Sequence, residues 1–251
     1  MSVGRANSFT GSPLNPFHEP ARRKSGVCAV TRPAFDPLID QYRRAYRQHG
    51  DSPAAVLWPK GRQAVRFAAL SRSLPGGDFS VLDFGCGLAH LYPFLTARYS
   101  GVRYAGVDLL PEFIDACRTK FPEARFDLIR DAQDIADTYD YVLISGAFNI
   151  LYDPSRSVHE RMVFETLRSL FDRTARALAV NFMSDRVDFA QDGAYHQSVA
   201  SLLAYVRDAL SPRFVLDHSY MPYEYTLTVF KDAGIVRPDN LYRDHDARHP
   251  V

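Results

Sequence analysis

Cysteine is scarce in this sequence: three residues, Cys28, Cys86 and Cys117, among 251. Their spacings form neither a disulfide framework nor a CxxC metal site. Free thiols are expected, the state kept by a reducing cytoplasm. Long apolar runs are missing as well. No stretch approaches the roughly 18 consecutive apolar residues of a membrane-crossing helix. The segment from Met1 to Pro20 lacks the apolar core of a secretory signal. Neither charge sign dominates, with 30 Lys and Arg against 29 Asp and Glu. A net charge of +1 argues against a broad electrostatic surface for nucleic acid or anionic membrane, and leaves a local patch open. The histidines are scattered. The single HxxxH spacing, His245 with His249, lies in a polar tail with no third ligand nearby, so no metal site is expected.

Apolar residues make up 46% and charged residues 24%, the balance of a soluble globular protein. The length suits one α/β domain with a large core. Residues 1–33 carry Ser, Gly, Pro and Arg with little periodicity and read as an irregular arm, or as a lid that orders over a ligand. A helical cap is expected over 34–76. Its first helix runs from Phe35 to Gln48, with Tyr42 and Tyr46 on one face, and its second from Gly61 to Leu74. From residue 77 to 231 short apolar runs alternate with helical segments. Strands are expected at Ser80–Phe84, Tyr104–Leu109, Ala124–Leu128, Tyr139–Ser145 and Ala177–Met183. Helices are expected at Leu88–Tyr99, Pro111–Lys120, Val158–Asp172 and Val199–Ala209. Phe214–His218 and Tyr225–Phe230 close the domain, the second alternating like an antiparallel strand. Residues 232–251 read as a polar tail. Such alternation predicts a Rossmann-like, mostly parallel sheet with helices on both faces. Ligands then bind beyond the carboxyl ends of the strands, where strand order reverses.

The chemistry concentrates in Val81–Leu91, V-L-D-F-G-C-G-L-A-H-L. A strand runs into a glycine turn and then into a helix. Gly85 suits the turn, and Gly87 lets a ligand approach the backbone. The next strand ends at Asp108, 21 residues after Gly87. At about that spacing a nucleotide site places an acid on ribose hydroxyls. A carboxylate there would repel a 2′-phosphate.

The pattern D-x-G-x-G-x-A at Asp83–Ala89, with Asp108 closing the second strand, resembles the class I S-adenosylmethionine-dependent methyltransferases. A dinucleotide dehydrogenase has a third glycine where this chain has His90. Asp83 would also repel a pyrophosphate at the helix N-terminus, whereas it suits the donor's ammonium. The resemblance spans about residues 79–231 and implies a seven-stranded sheet with an antiparallel last strand. Donor-binding positions carried over are Asp83, Gly85, Cys86 and Gly87 in the turn, Asp108, and Leu109 (or Leu110) against the adenine. Asp131 and the Ala132 N–H would meet the adenine edge, with Asp127 and Asp134 as nearby alternatives to Asp131. Ser145 and Gly146 would meet the methionine part. Segments such as W-P-K-G-R-Q-x-x-R-F and S-G-A-F-N are similar to a group of small bacterial methyltransferases and favour a small-molecule acceptor.

Phe148 and Asn149, just after the fourth strand, are the acceptor-side candidates, and His90 is a candidate lining the donor pocket. Chain positions 145–148 read Ser-Gly-Ala-Phe, not the Asn/Asp-Pro-Pro-Tyr/Phe of amide- and base-methylating relatives. Each candidate has a plainer reading. Asp83 can cap the turn and Cys86 can merely fill it. Trp58 either packs in the core or caps the site. Arg62 and Arg66 share a helix face as solvated charges, or reach the donor carboxylate. Asp185, Tyr195, Tyr223 and Glu224 sit on loops that can shape an acceptor site. The expected activity is methyl transfer from S-adenosylmethionine to a small molecule in the cytoplasm. A protein or RNA acceptor and a non-catalytic binding module are the alternatives.

Overall fold

The computed structural model describes residues 35–58, 62–153 and 155–232. The expected arm over 1–33 and all but Asp232 of the expected tail lie outside these residues. So do Cys28, Lys60, Gly61, His245 and His249.

The chain folds in the order α1 (Asp36–His49), α2 (Gln63–Leu70), β1 (Phe79–Phe84), α3 (Leu91–Thr96), β2 (Val102–Asp108), α4 (Pro111–Lys120), β3 (Arg125–Leu128), β4 (Tyr139–Ile144), α5 (Arg156–Asp172), β5 (Thr174–Ser184), β6 (His196–Gln197), α6 (Val199–Ala209), β7 (Phe214–Met221) and β8 (Glu224–Phe230). A short 3-10 turn at Ala132–Asp134 follows β3. One eight-stranded sheet has the order β3-β2-β1-β4-β5-β8-β7, with β6 attached to the end of β5. The first five strands pair in parallel. β8 is antiparallel to both neighbours. The expected seven strands are therefore eight. The addition is the two-residue β6, too short to show any period-2 pattern.

Alternation along the strands builds two cores. Leu82, Val142, Ile144, Leu178 and Val180 pack with Val163, Leu167 and Leu170 of α5 and Leu202 and Val206 of α6. Val81, Tyr141, Leu143, Ala177 and Ala179 pack with Phe67 and Leu70 of α2, Leu91 and Leu95 of α3, and Ile114 and Cys117 of α4. Helices thus cover both faces, as a parallel sheet requires. Among the described residues no helix is long and apolar enough to cross a membrane.

Two helices are shorter than expected. α2 starts at Gln63 and ends at Leu70. α3 begins at Leu91, not Leu88, because Ala89 adopts the left-handed region with φ +54°. That conformation ends any right-handed helix running back through it. β5 is longer than expected. Thr174 finds a partner in Tyr139 at one end and Ser184 finds Gln197 at the other.

Strand order reverses at β1, which sends the chain one way to β2 and β3 while β4 and β5 lie on its other side. The crevice beyond the carboxyl ends of β1 and β4 is the place where such sheets bind ligands.

Candidate functional site

The turn after β1 is built from backbone constraints. Gly85 (φ +71°) and Gly87 (φ +55°) both lie in the left-handed region. A side chain at Gly85 would come within 2.8 Å of the Ala147 Cβ, and one at Gly87 within 2.8 Å of Val56 Cγ1. The first approach joins the ends of β1 and β4. The second brings the loop after α1 over the turn. The N–H groups of Gly85 and Cys86 both donate to the Val107 carbonyl at 2.9 Å, which ties the turn to β2.

Asp108 completes that tie. Its Oδ2 accepts from the Gly87 N–H at 2.8 Å and its Oδ1 from the Leu110 N–H at 3.0 Å. Burial pushes its carboxyl up, while the bonds from Leu110 and Gly87 pull it back. Each oxygen keeps a spare lone pair. The carboxylate is thereby oriented, with acceptor positions left open.

Asp83 is 2% exposed. Its Oδ2 accepts from the Tyr104 hydroxyl at 2.5 Å, and its Oδ1 has no partner among the described residues. Burial pushes the carboxyl up to about 7; the Tyr104 bond opposes this and the Asp108 charge adds to it. An orphaned, buried carboxylate oxygen is costly, and a cationic ligand group would relieve it. Tyr104 was not legible as a site residue: it reads as an ordinary strand aromatic.

Other candidates are placed more plainly. The Cys86 thiol packs beneath the turn, 3.0 Å from where a Gly106 side chain would begin. Its neighbour Cys117 donates to the Gly87 carbonyl. Contact with Cys117 and burial push the Cys86 thiol well above its usual range. His90 Nε2 pairs with Asp51 Oδ1 at 2.9 Å, and Lys120 pairs with Asp51 Oδ2 at 2.7 Å. Burial acts to raise the Asp51 carboxyl, but the Lys120 and His90 bonds prevail and hold it low. His90 therefore anchors the loop after α1. Leu109 is half-buried and Leu110 buried. Asp131 caps the 3-10 turn through the Gln133 N–H at 2.8 Å, and Ala132 is buried behind it.

Beyond β4 the chain turns at Gly146, whose N–H donates to Asn181 Oδ1 at 2.7 Å. Ser145 is half-buried there. Phe148 is buried and stacks on Phe182 with centroids 5.9 Å apart. Asn149 Oδ1 accepts from the Met183 N–H at 3.2 Å. An N–H can only donate, so this bond fixes the amide's orientation. Its NH2 turns toward Gly146, where a side chain would begin 3.6 Å from Asn149 Nδ2 and 2.7 Å from Arg66 Nη1.

Arg66 corrects the expectation of a solvated helix face. It is 4% exposed and pairs with Glu224, 3% exposed. Arg66 Nε donates to Glu224 Oε1 at 2.6 Å and Nη2 donates to Oε2 at 2.7 Å. Trp58 lies over the guanidinium at 3.8 Å. Arg62 is exposed. This pair joins α2 to the start of β8 beside Gly146. Of the remaining loop residues, Asp185 accepts from the Val199 N–H, Tyr195 donates to Gln197, and Tyr223 donates to Asp188. Among the described residues no group of three or more His, Cys, Asp or Glu side chains is arranged to hold a metal ion.

Comparison with known proteins points to a family. A family described as "Methyltransferase domain" matches residues 82–181, from β1 to β5. The chain is 30% identical over 156 residues to a Mycobacterium tuberculosis protein named "Putative methyltransferase Rv1506c", covering 61% of this chain and 93% of that one. Among solved structures, the plantazolicin methyltransferase BpumL, in complex with a triazolic desmethylPZN analog and SAH, superposes with TM-score 0.54 at 14% identity, over 80% of this chain and 99% of that one. An O-methyltransferase family protein from Burkholderia thailandensis gives TM-score 0.56 at 16% identity, over 80% of this chain and 64% of that one. The two structures share the fold.

Proposed function

The chain belongs to the class I S-adenosylmethionine-dependent methyltransferases, and from that premise we propose that it methylates a small-molecule acceptor held beside Phe148 and Asn149. The observation that carries the donor-site assignment is the pair of carboxylates at the switch point. Asp108 offers two spare lone pairs, and Asp83 has an orphaned buried oxygen.

In this reading Asp108 accepts from both ribose hydroxyls, and Asp83 takes the ammonium. Leu109 and Leu110 flank the adenine, Asp131 and the Ala132 N–H meet its edge, and Ser145 and Gly146 line the methionine chain. Bound S-adenosylmethionine supplies an already activated methyl group on a cationic sulfonium. The protein's contribution is then orientation and exclusion of water. The loop after α1, anchored through Asp51 and packed by Val56 on Gly87, roofs one side. The Trp58–Arg66–Glu224 assembly lies beside Gly146. A site bordered by these elements suits a small acceptor. Asn149, its amide oriented by the Met183 N–H on Oδ1, donates to an oxygen of that acceptor.

Calorimetric titration with S-adenosylhomocysteine tests the donor half, and tritium transfer to a panel of small molecules tests the acceptor half. No binding by folded protein would remove the donor assignment. Binding accompanied by transfer only to protein or RNA would replace the acceptor class.

A pH dependence follows from Asp83. Its carboxyl is raised in the folded protein, so the ligand-free fold holds a proton there that the unfolded chain has released. That stabilisation is complete below about pH 4 and is lost as pH rises through about 7. An ammonium beside Asp83 favours the charged form, so binding releases the proton. Affinity for S-adenosylhomocysteine is expected to rise between pH 5.5 and 7.5, roughly tenfold per unit at the steepest. The binding enthalpy should vary with buffer ionisation heat. Tyr104→Phe removes a bond to the charged form and should move this rise to higher pH. A flat profile would show that Asp83 does not meet the cation.

A further inference from the structure

His159 is completely buried on the first turn of α5 and has no part in the reading above. Its ring lies between two others, with centroids 4.5 Å from Tyr152 and 4.1 Å from Tyr195. Phe35 stacks on Tyr152 at 4.9 Å. A continuous aromatic column thus links the residue before α1, the segment after β4, α5 and the segment before β6. His159 Nε2 lies 3.2 Å from the Phe148 carbonyl. A carbonyl can only accept, so Nε2 carries the hydrogen and Nδ1 is the bare nitrogen. Nδ1 has no partner among the described residues.

The carbonyl that receives this bond belongs to the acceptor-side peptide. The Asn149 N–H donates to the Gly146 carbonyl at 3.3 Å, the Asn149 carbonyl accepts from the Tyr195 N–H at 2.9 Å, and the Leu151 N–H donates to the Gly193 carbonyl at 2.9 Å. With the Met183 bond to its side chain, Asn149 is constrained on every side but one. His159 supplies the contact from beneath.

We propose that His159 is a positioning residue: its Nε2–H on the Phe148 carbonyl, with its ring clamped between Tyr152 and Tyr195, sets the turn that aims the Asn149 amide at the acceptor. This rests on the acceptor-side reading of Phe148 and Asn149. It assigns His159, not His90, as the histidine the acceptor side depends on. The ring must be neutral for the role, since a second N–H would be buried without an acceptor. Burial supplies the neutrality by lowering the ring to about 4, with the Phe148 bond and Asp153 acting upward and Arg156 downward. The hydroxyls of Tyr152 and Tyr195 and the carboxylate of Glu160, held through Gln197, are the other polar groups around the column.

The test uses 15N-labelled full-length protein, His159→Gln (which keeps an N–H near the Nε2 position) and His159→Phe (which keeps a ring and loses the donor). Long-range proton–nitrogen spectra of the wild type should show one neutral Nε2–H tautomer for His159, unchanged from pH 8 to pH 5. His159→Phe should speed hydrogen exchange at Asn149 and Leu151 by up to about tenfold, the range of one lost hydrogen bond. It should also shift the Asn149 side-chain NH2 signals, and His159→Gln should restore most of both. Affinity for S-adenosylhomocysteine should stay within about threefold in both variants, because the charged contacts assigned to the donor, at Asp83 and Asp108, lie outside this turn. An Nδ1–H tautomer, ordinary titration near pH 6.5, or equal exchange in the two variants would overturn the proposal. If His159→Phe does not fold, the wild-type tautomer and His159→Gln still decide it. Failure of the wild type to bind S-adenosylhomocysteine removes the donor reading, and the exchange and tautomer results still judge His159 separately.

Discussion

Asp108→Ala is expected to weaken S-adenosylhomocysteine binding by about 100-fold or more. Two ribose hydroxyls donating to a carboxylate are charge-assisted bonds, each worth about 1.5–3 kcal/mol. Loss of both is at least about 3 kcal/mol, and every 1.4 kcal/mol is a factor of about ten. The variant also strands the N–H groups of Gly87 and Leu110, which now donate to the Asp108 oxygens. The turn that approaches the ligand is loosened at the same stroke. Asp108→Asn is a stricter control. Its amide has one acceptor oxygen, and its NH2 must face one of two N–H donors, so it too should bind weakly while keeping the side chain's volume. Calorimetry on both variants makes the check. Wild-type affinity in either, within about threefold, would dissociate Asp108 from the ribose.

The second large effect is on stability. Arg66→Met leaves the Glu224 carboxylate buried and unpaired, and removing one partner of such a pair costs about 3–5 kcal/mol. The double variant Arg66→Met with Glu224→Met removes both charges and should recover most of that loss, since well-packed apolar replacements of buried pairs are near neutral. Urea denaturation midpoints of the wild type, Arg66→Met and the double variant provide the test. If the two variants were equally destabilised, the loss would come from packing against Trp58 and not from the stranded charge. The stable double variant also isolates function. It keeps Asp83 and Asp108, so donor binding should survive, whereas the boundary beside Gly146 and Asn149 loses its only buried cation among the described residues.

Much of the proposed donor site was legible in the sequence. The glycine turn, Asp83 and Asp108 are close in sequence to the strand ends that place them, and short apolar runs located those ends to within two residues. Asp108 at 21 residues from Gly87 needed only a parallel crossover to reach it. Less was legible around α3. Ala89 in the left-handed region delays that helix by three residues, and nothing in L-A-H-L announces it. The two residues of β6 are visible only through their pairing with Met183 and Ser184.

The acceptor side was mostly hidden, for a reason of distance along the chain. Arg66 reads as a surface charge on a short helix until Glu224, 158 residues later, meets it from another element. His159 reads as one polar residue of an amphipathic helix until Tyr152 and Tyr195 close on its ring. Tyr104 reads as a strand aromatic until its hydroxyl reaches Asp83. The sequence by itself determined the fold class, the strand ends at the switch point and the two carboxylates proposed to hold the donor, because those depend on local periodicity, turn chemistry and short crossovers. Only the tertiary structure decided which charges are buried, which histidine is buried beneath the acceptor-side turn and which way the Asn149 amide points, because each of those is set by a partner that chain order leaves far away and packing brings within hydrogen-bond reach.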